Sequence, residues 1–345
     1  MGDKKKKSGN GAAIFFDVIL SLALIGGIGY GGYYLFNQGK SVDQKSNYTE
    51  NIMEETTQEE PSEIGMVYDS IEISNQEVYD GSLVLVNQDF PFQGSEENLV
   101  SIYQMMLEKE CHSFGARDGD VKVQREYAEN MISLFDAFYN ETYDNNIIVQ
   151  SGYRSPERQQ ELYDEDLANT GLDYSDRVAK SGYSEHQTGW CVDLSLYEAD
   201  YDGTGIYSYI NEHCADYGII LRYPENKVEV TRFSFEPWHY RYIGVPHAGY
   251  VMQNGICLEE YIALLYGYAY ENEHLQLTDS NNRIYEIYYY PADTENEITV
   301  LPVPADKNYT VSGNNKDGFI VTVDMEEFSV PEVPEEAESE ESPEE

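Results

Sequence analysis

The feature that most constrains this chain is its first apolar run. Ala12–Phe36 holds a single charge, Asp17, and one other plainly polar side chain, Ser21. A helix of that length crosses about 30 Å of hydrocarbon, and in lipid a lone segment satisfies its backbone only as a helix. Lys4 to Lys7 precede the run, and Tyr30, Tyr33, Tyr34 and Phe36 close it as an interfacial belt, where a cleaved leader would show small residues. Positive charge ahead of a span holds that end in the cytoplasm. Asp17 would cost about 2–3 kcal/mol at the bilayer centre, but it falls near the cytoplasmic end. The expectation is a basic cytoplasmic tail over 1–11, a single-pass transmembrane signal anchor over 12–37, and everything after it outside the cell.

The remainder is strongly acidic. With 64 acidic against 21 basic residues the formal net charge is −43. Such a polyanion repels phosphate backbones, which argues against nucleic acid as a partner and reads as a solvated acidic surface. Residues 38–75 are polar, acidic and without apolar period, and are expected to form a flexible stalk. Residues 329–345, rich in Pro, Glu and Ser, are expected to be a disordered tail. Cys111, Cys191, Cys214 and Cys257 would face an oxidising space, where disulfides persist. No C-x-x-C pair is present, three complete pairings are possible, and free buried thiols are an equal alternative.

Between stalk and tail the pattern is that of an α+β domain over 76–270 with a small β-rich appendage over 271–328. Ser82–Asn87 reads as a strand, Leu99–Leu107 and Gln124–Tyr139 as helices. In the second helix Tyr127, Met131, Leu134, Phe135 and Phe138 make one apolar stripe. Ile147–Gln150 reads as a strand, followed by a helix with Ser155 as cap and Pro156 as first residue, running to about Asn169. Strands are expected at Trp190–Leu196, Ile219–Tyr223 and Arg232–Ile243, and helices at Ile206–Tyr217 and Leu258–Tyr266. In the appendage, Ile284–Tyr290 and Phe319–Val323 are strand-like, with turn signals at Asp279–Asn282, Gly313-Asn314 and Asp317-Gly318. The expected core is a small antiparallel sheet flanked by helices.

Two segments carry chemistry. Ser184-Glu185-His186-Gln187-Thr188-Gly189-Trp190-Cys191-Val192-Asp193 offers an imidazole and a carboxylate seven residues on. Phe235-Glu236-Pro237-Trp238-His239-Tyr240-Arg241-Tyr242 offers a second imidazole with a glutamate three before it. Catalytic zinc takes three N/O protein ligands, an open position for water and a nearby carboxylate for that water's proton. Positions seven apart fall on opposite faces of a straight strand, so the pair needs a bend at Thr188-Gly189. Pro237 biases Glu236 toward extended backbone. Spacing alone leaves zinc binding and ordinary hydrogen-bonded histidines equally open. His112, His213, His247 and His274 fit no motif.

SGYRS (151–155), SEHQTG-x-x-VD (184–193) and FEPWHYRYIG (235–244) resemble the signature blocks of the VanY-like D-alanyl-D-alanine carboxypeptidases. These are zinc peptidases of bacterial peptidoglycan that share a core with VanX dipeptidases and hedgehog domains. The likeness runs from about Leu83 to Glu260. It implies that His186, Asp193 and His239 bind Zn2+ at the sheet face and that Glu236 is the general base. It implies that Arg154 stabilises the oxyanion and that Gln160 and Ser184 contact substrate, with Tyr153 and Trp238 as pocket walls. The implied protein is a monomeric enzyme of the bacterial cell membrane with its catalytic domain outside. It would remove the terminal D-Ala from peptidoglycan stem peptides. An L,D-carboxypeptidase, a crosslink endopeptidase and a non-catalytic wall-binding or sensing domain are the alternatives. One departure from the family pattern is Trp190-Cys191, where relatives carry small or aliphatic residues. It leaves Cys191 open as a core thiol, half of a disulfide, or a disturbance to the metal.

Overall fold

The computed structural model describes residues 66–95 and 98–326. The expected cytoplasmic tail, membrane anchor and acidic tail, and most of the stalk, lie outside them. Among the described residues no helix is long and apolar enough to cross a membrane.

The chain enters through β1 (Tyr68–Ser74), β2 (Leu99–Ser101), α1 (Ile102–Glu108), β3 (Gly115–Ala116) and β4 (Lys122–Gln124). The expected helix at Leu99–Leu107 therefore gives its first three residues to a strand, where Ser101 caps α1 by accepting from the Gln104 amide. In α2 (Arg125–Thr142) the apolar stripe is buried as expected, Tyr127 and Phe138 completely. Each such side chain contributes about 1.5–3 kcal/mol. β5 (Ile147–Ser151) leads into α3 (Pro156–Thr170), which Ser155 caps and Gly171, at φ +70°, ends. After β6 (Cys191–Leu196), the expected helix over 206–217 is broken. Only α4 (Ser208–His213) is α-helical, and 3-10 turns flank it. β7 (Ile219–Leu221), α5 (Val228–Thr231) and β8 (His239–Tyr242) follow, then α6 (Val245–Asn254) and α7 (Leu258–Leu265).

The central sheet has the order β3-β5-β6-β8-β7. It is antiparallel, as expected, except that β3 pairs β5 in parallel. The α2 stripe packs on it against Ile147, Val149, Val192, Leu194, Tyr240 and Tyr242. Ser82–Asn87 is not a strand. Leu83 and Leu85 are buried, but the backbone bonds of this stretch go elsewhere than to a partner strand. The carbonyls of Ser82 and Val84 accept from Arg241, and the Leu83 amide donates to the Ser312 hydroxyl.

The appendage is a sheet of order β12-β13-β10-β9, from β9 (Leu275–Thr278), β10 (Ile284–Pro291), β12 (Asn308–Gly313) and β13 (Gly318–Asp324). Leu275, Leu277, Ile287, Tyr289 and Ile320 share one core with α6 and α7, so the appendage is packed onto the domain. His247 ties the two, its ring nitrogens bonding Tyr261 and Thr322. β11 (Ile298–Pro304) pairs antiparallel with β1 from Tyr68↔Pro304 to Ser74↔Ile298. The stalk therefore cannot reach residue 75. Ile71 and Ile73, spaced two apart, put one face of β1 against a core that includes Tyr288, Leu301 and Phe319, a period-2 signal masked by Glu72 and the acidic residues around it.

Candidate active site

The site lies where the ends of β6 and β8 meet two turns. Ser184 caps a 3-10 turn, Glu185–Thr188, by accepting from the His186 amide at 3.3 Å. Gly189, at φ +71°, ends that turn, and an added Cβ there would meet the Leu99 side chain at 2.4 Å. The bend thus lets His186 come from the turn and Asp193 from β6. Register then places Asp193 directly opposite His239, the first residue of β8. The expected strand over Arg232–Ile243 is confined to these last residues. Arg232 turns the chain at φ +61°, and Pro237 has no N–H for a ladder. Glu236 and His239 are joined by a tight turn, the His239 amide bonding the Glu236 carbonyl at 3.1 Å.

His186, Asp193, Glu236 and His239 line one cleft of about 410 Å³, with Arg154, Gln159, Ser184 and Trp238. His186 Nε2 stands 3.1 Å from Asp193 Oδ2, and His239 Nδ1 stands 2.9 Å from Asp193 Oδ1. The other nitrogen of His186, Nδ1, meets the Gly152 carbonyl at 2.6 Å. As a donor there it leaves Nε2 as the lone-pair nitrogen facing Asp193. Glu236 Oε2 is 3.7 Å from His239 Nδ1. Burial pushes the Glu236 carboxyl up to about 7, partly opposed by His239. Burial would also push Asp193 up, but His186 and His239 overrule it and hold it well below the usual carboxylate range.

Arg154 is held by Ser151, by Gln159 Oε1 at 3.1 Å and by Asp193 Oδ2 at 2.7 Å. It is both a salt-bridging arginine and a cation at the cleft wall. Trp238 lines the cleft as expected. Ser184 does also, while capping the His186 turn. Gln160 does not: it lies on the exposed face of α3, bonding Asp164. The amide in the cleft is Gln159, buried, which bonds Arg154 and the Ala179 carbonyl. One residue is about 100° on a helix, so the neighbour faces the other way. Tyr153 lines an adjoining cleft on the far side of Arg154.

The structure decides one alternative that the sequence left open and adds one feature that escaped it. All four cysteines are free and buried, and Cys191, on a regular stretch of β6, sits two residues before Asp193 on the same face. Its sulfur lies within 4.8 Å of ring nitrogens of His186 and His239. Burial would push the thiol up, but the two imidazoles draw it down to about 7. Beneath His239, Glu185, Arg222, Arg241 and Glu259 form a buried charge network. Arg222 and Arg241 overrule the effect of burial and hold the Glu185 carboxyl well below its usual range. The strand period gave one clue, since Arg241 shares a face with His239; nothing in the sequence marked Glu185 or Arg222 as buried.

Two histidines and an aspartate within hydrogen-bond reach of one another, with a glutamate held near 7 beside them, are the residue types that a metal-assisted hydrolase uses. Comparison with known proteins narrows the class. A family model described as VanY, D-alanyl-D-alanine carboxypeptidase, matches residues 120–245. A D-alanyl-D-alanine carboxypeptidase of Enterococcus faecium is 32% identical over 321 residues, covering 90% of this chain and 95% of that one. A putative carboxypeptidase of Bacillus subtilis, YodJ, is 31% identical over 230 residues, covering 64% of this chain and 81% of that one. Among solved structures, the vancomycin-resistance D,D-dipeptidase VanXYg, in complex with a D-Ala-D-Ala phosphinate analogue, is similar at a TM-score of 0.65 and 33% identity. That match covers 74% of this chain and 99% of that one. The chain belongs to the VanY D-alanyl-D-alanine carboxypeptidase family.

Proposed function

We propose that the chain is a zinc-dependent D,D-carboxypeptidase that removes the C-terminal D-Ala from peptidoglycan stem peptides. On this reading it works as a monomer outside a bacterial cell, held to the membrane by Ala12–Phe36. The observation that carries the reading is the convergence of His186, Asp193 and His239 on the cleft that Glu236 also lines.

His186 Nε2, an Asp193 oxygen and His239 Nδ1 would hold the ion. Cys191 is the competing donor, but it is fully buried and is not part of the cleft wall, where a catalytic ion needs an open position. Bound there, zinc supplies a water acidic enough to react near neutrality and polarises the scissile carbonyl. Glu236 takes the proton of the attacking water and returns it to the leaving amine of D-Ala. Its carboxyl, poised near 7, suits both halves of that transfer. Arg154 donates to the carbonyl oxygen as charge develops on it, its guanidinium fixed by Ser151 and Gln159. The phosphinate analogue held by VanXYg has the tetrahedral shape of a hydrated amide, which fits the same chemistry.

The test incubates the purified full chain with pentapeptide and tetrapeptide stems, with and without chelator, and follows the products by mass spectrometry. Loss of one alanine from the pentapeptide alone, abolished by chelation and restored by zinc, is expected. Trimming of the tetrapeptide alone would make the enzyme an L,D-carboxypeptidase. Glu236→Gln should keep stoichiometric zinc and lose turnover by about 10²–10⁴-fold; undiminished turnover would remove Glu236 from its role.

A further inference from the structure

The buried charge network beneath His239 has a polarity that packing does not account for. Glu185 Oε1 meets Arg222 Nε at 2.8 Å and Arg241 Nη1 at 3.0 Å. Glu259 grips Arg222 from the other side at 2.9 and 2.7 Å, and three main-chain carbonyls hold Arg241. Two carboxylates and two guanidiniums balance, so the set needs no charge from His239. Yet Glu185 Oε2 and His239 Nε2, like Arg241 Nη1, are buried polar atoms with no hydrogen-bond partner among the described residues. The first two face each other at 3.5 Å. An unsatisfied buried polar atom costs about 1–3 kcal/mol, and two such atoms face to face call for a reason.

The other nitrogen of the ring supplies it. His239 Nδ1 is the atom that faces Asp193 and Glu236. We propose that Glu185 is a positioning residue for the metal site: its Oε2 takes the Nε2–H of His239, which leaves Nδ1 as the lone-pair nitrogen in the cleft. Arg222 and Arg241 anchor the carboxylate so that it cannot swing away, and Arg241, on the same strand face as His239, keeps the two in register. A carboxylate on the far nitrogen fixes ring and tautomer and raises the basicity of the ligating atom. The Gly152 carbonyl serves His186 in the same way, with the nitrogens exchanged. The inference rests on the zinc reading above.

The experiment compares zinc affinity, by competition with a chromophoric chelator, among the full-length wild type, Glu185→Gln and Glu259→Gln. Both substitutions disturb the network and should lower thermal stability. Of these two carboxylates only Glu185 faces His239, so Glu185→Gln should weaken zinc binding by about ten- to a hundredfold while Glu259→Gln leaves it unchanged. Equal affinity for wild type and Glu185→Gln, or equal losses in both variants, would overturn the proposal. Should Glu185→Gln fail to fold, long-range 15N–1H correlations on the zinc-loaded wild type decide instead. A protonated Nε2 on His239 is expected, and a protonated Nδ1 overturns the assignment. A wild type that binds no zinc overturns the parent reading and this one with it, whereas unaltered zinc affinity in Glu185→Gln sinks this inference alone.

Discussion

Glu236 is held in a place that favours its chemistry and works against the fold. The residue is only 7% exposed, and burial raises its carboxyl from 4.5 to about 7. Between those values the native state binds a proton that the unfolded chain releases, so stability falls as pH rises through that window. The resulting destabilisation is almost absent at pH 4.5 and reaches its full size, about 3 kcal/mol, by pH 8. Glu236→Gln removes the titration and keeps the shape. In metal-free protein its stability relative to wild type should therefore climb by about 3 kcal/mol between pH 4.5 and pH 8. That is roughly 6–12 °C in Tm for a domain of this size. Thermal and urea unfolding of both proteins in chelator, at several pH values, measure it. Any constant offset from the amide itself cancels in the pH dependence. A wild-type minus variant difference that stays flat across the range, or moves the other way, would refute the argument that desolvation dominates at Glu236. Zinc should narrow the gap, since a cation beside the carboxylate favours its ionised form.

Three further outcomes follow from the site and its surroundings. Gln159→Ala removes a hydrogen bond to a charged group that fixes Arg154, about 1.5–3 kcal/mol, and should lower kcat/KM by at least about tenfold. Gln160→Ala should leave kcat/KM unchanged, and the reverse ranking would show that α3 presents its other face to substrate. Cys191→Ala should change zinc affinity by less than about tenfold, measured by chelator competition. A larger loss would place the thiol among the ligands in place of Asp193.

The sequence made the local signals legible. Ser155, Pro156 and Gly171 bound α3 because caps act within a few residues, and the stripe of α2 needed only its own period. His186, Asp193, Glu236 and His239 were found because they lie in two short blocks. What stayed hidden depended on contacts between distant segments. Ser82–Asn87 has the short β-branched and apolar run of a buried strand, but Arg241, some 160 residues on, takes two of its carbonyls. Tyr68–Ser74 looked like stalk because its partner, β11, lies more than 200 residues away. Gln159 and Gln160 differ only in which way a helix turns, and resemblance of motifs placed the wrong one in the cleft. Glu185 carried no mark of burial, since acidic residues are common everywhere in this chain.

The pairing of β1 with β11 also settles how the domain takes a load. Whatever the chain carries ahead of Met66, tension along it enters through β1, and a pull directed down that strand strains its seven residue pairs together rather than one after another. The lead-in is fastened as a lap joint and not as a hinge. The joint shares its core with Tyr288, Phe319 and Val321 of the appendage, apart from the core under β6 and β8, whose ends hold the reactive groups.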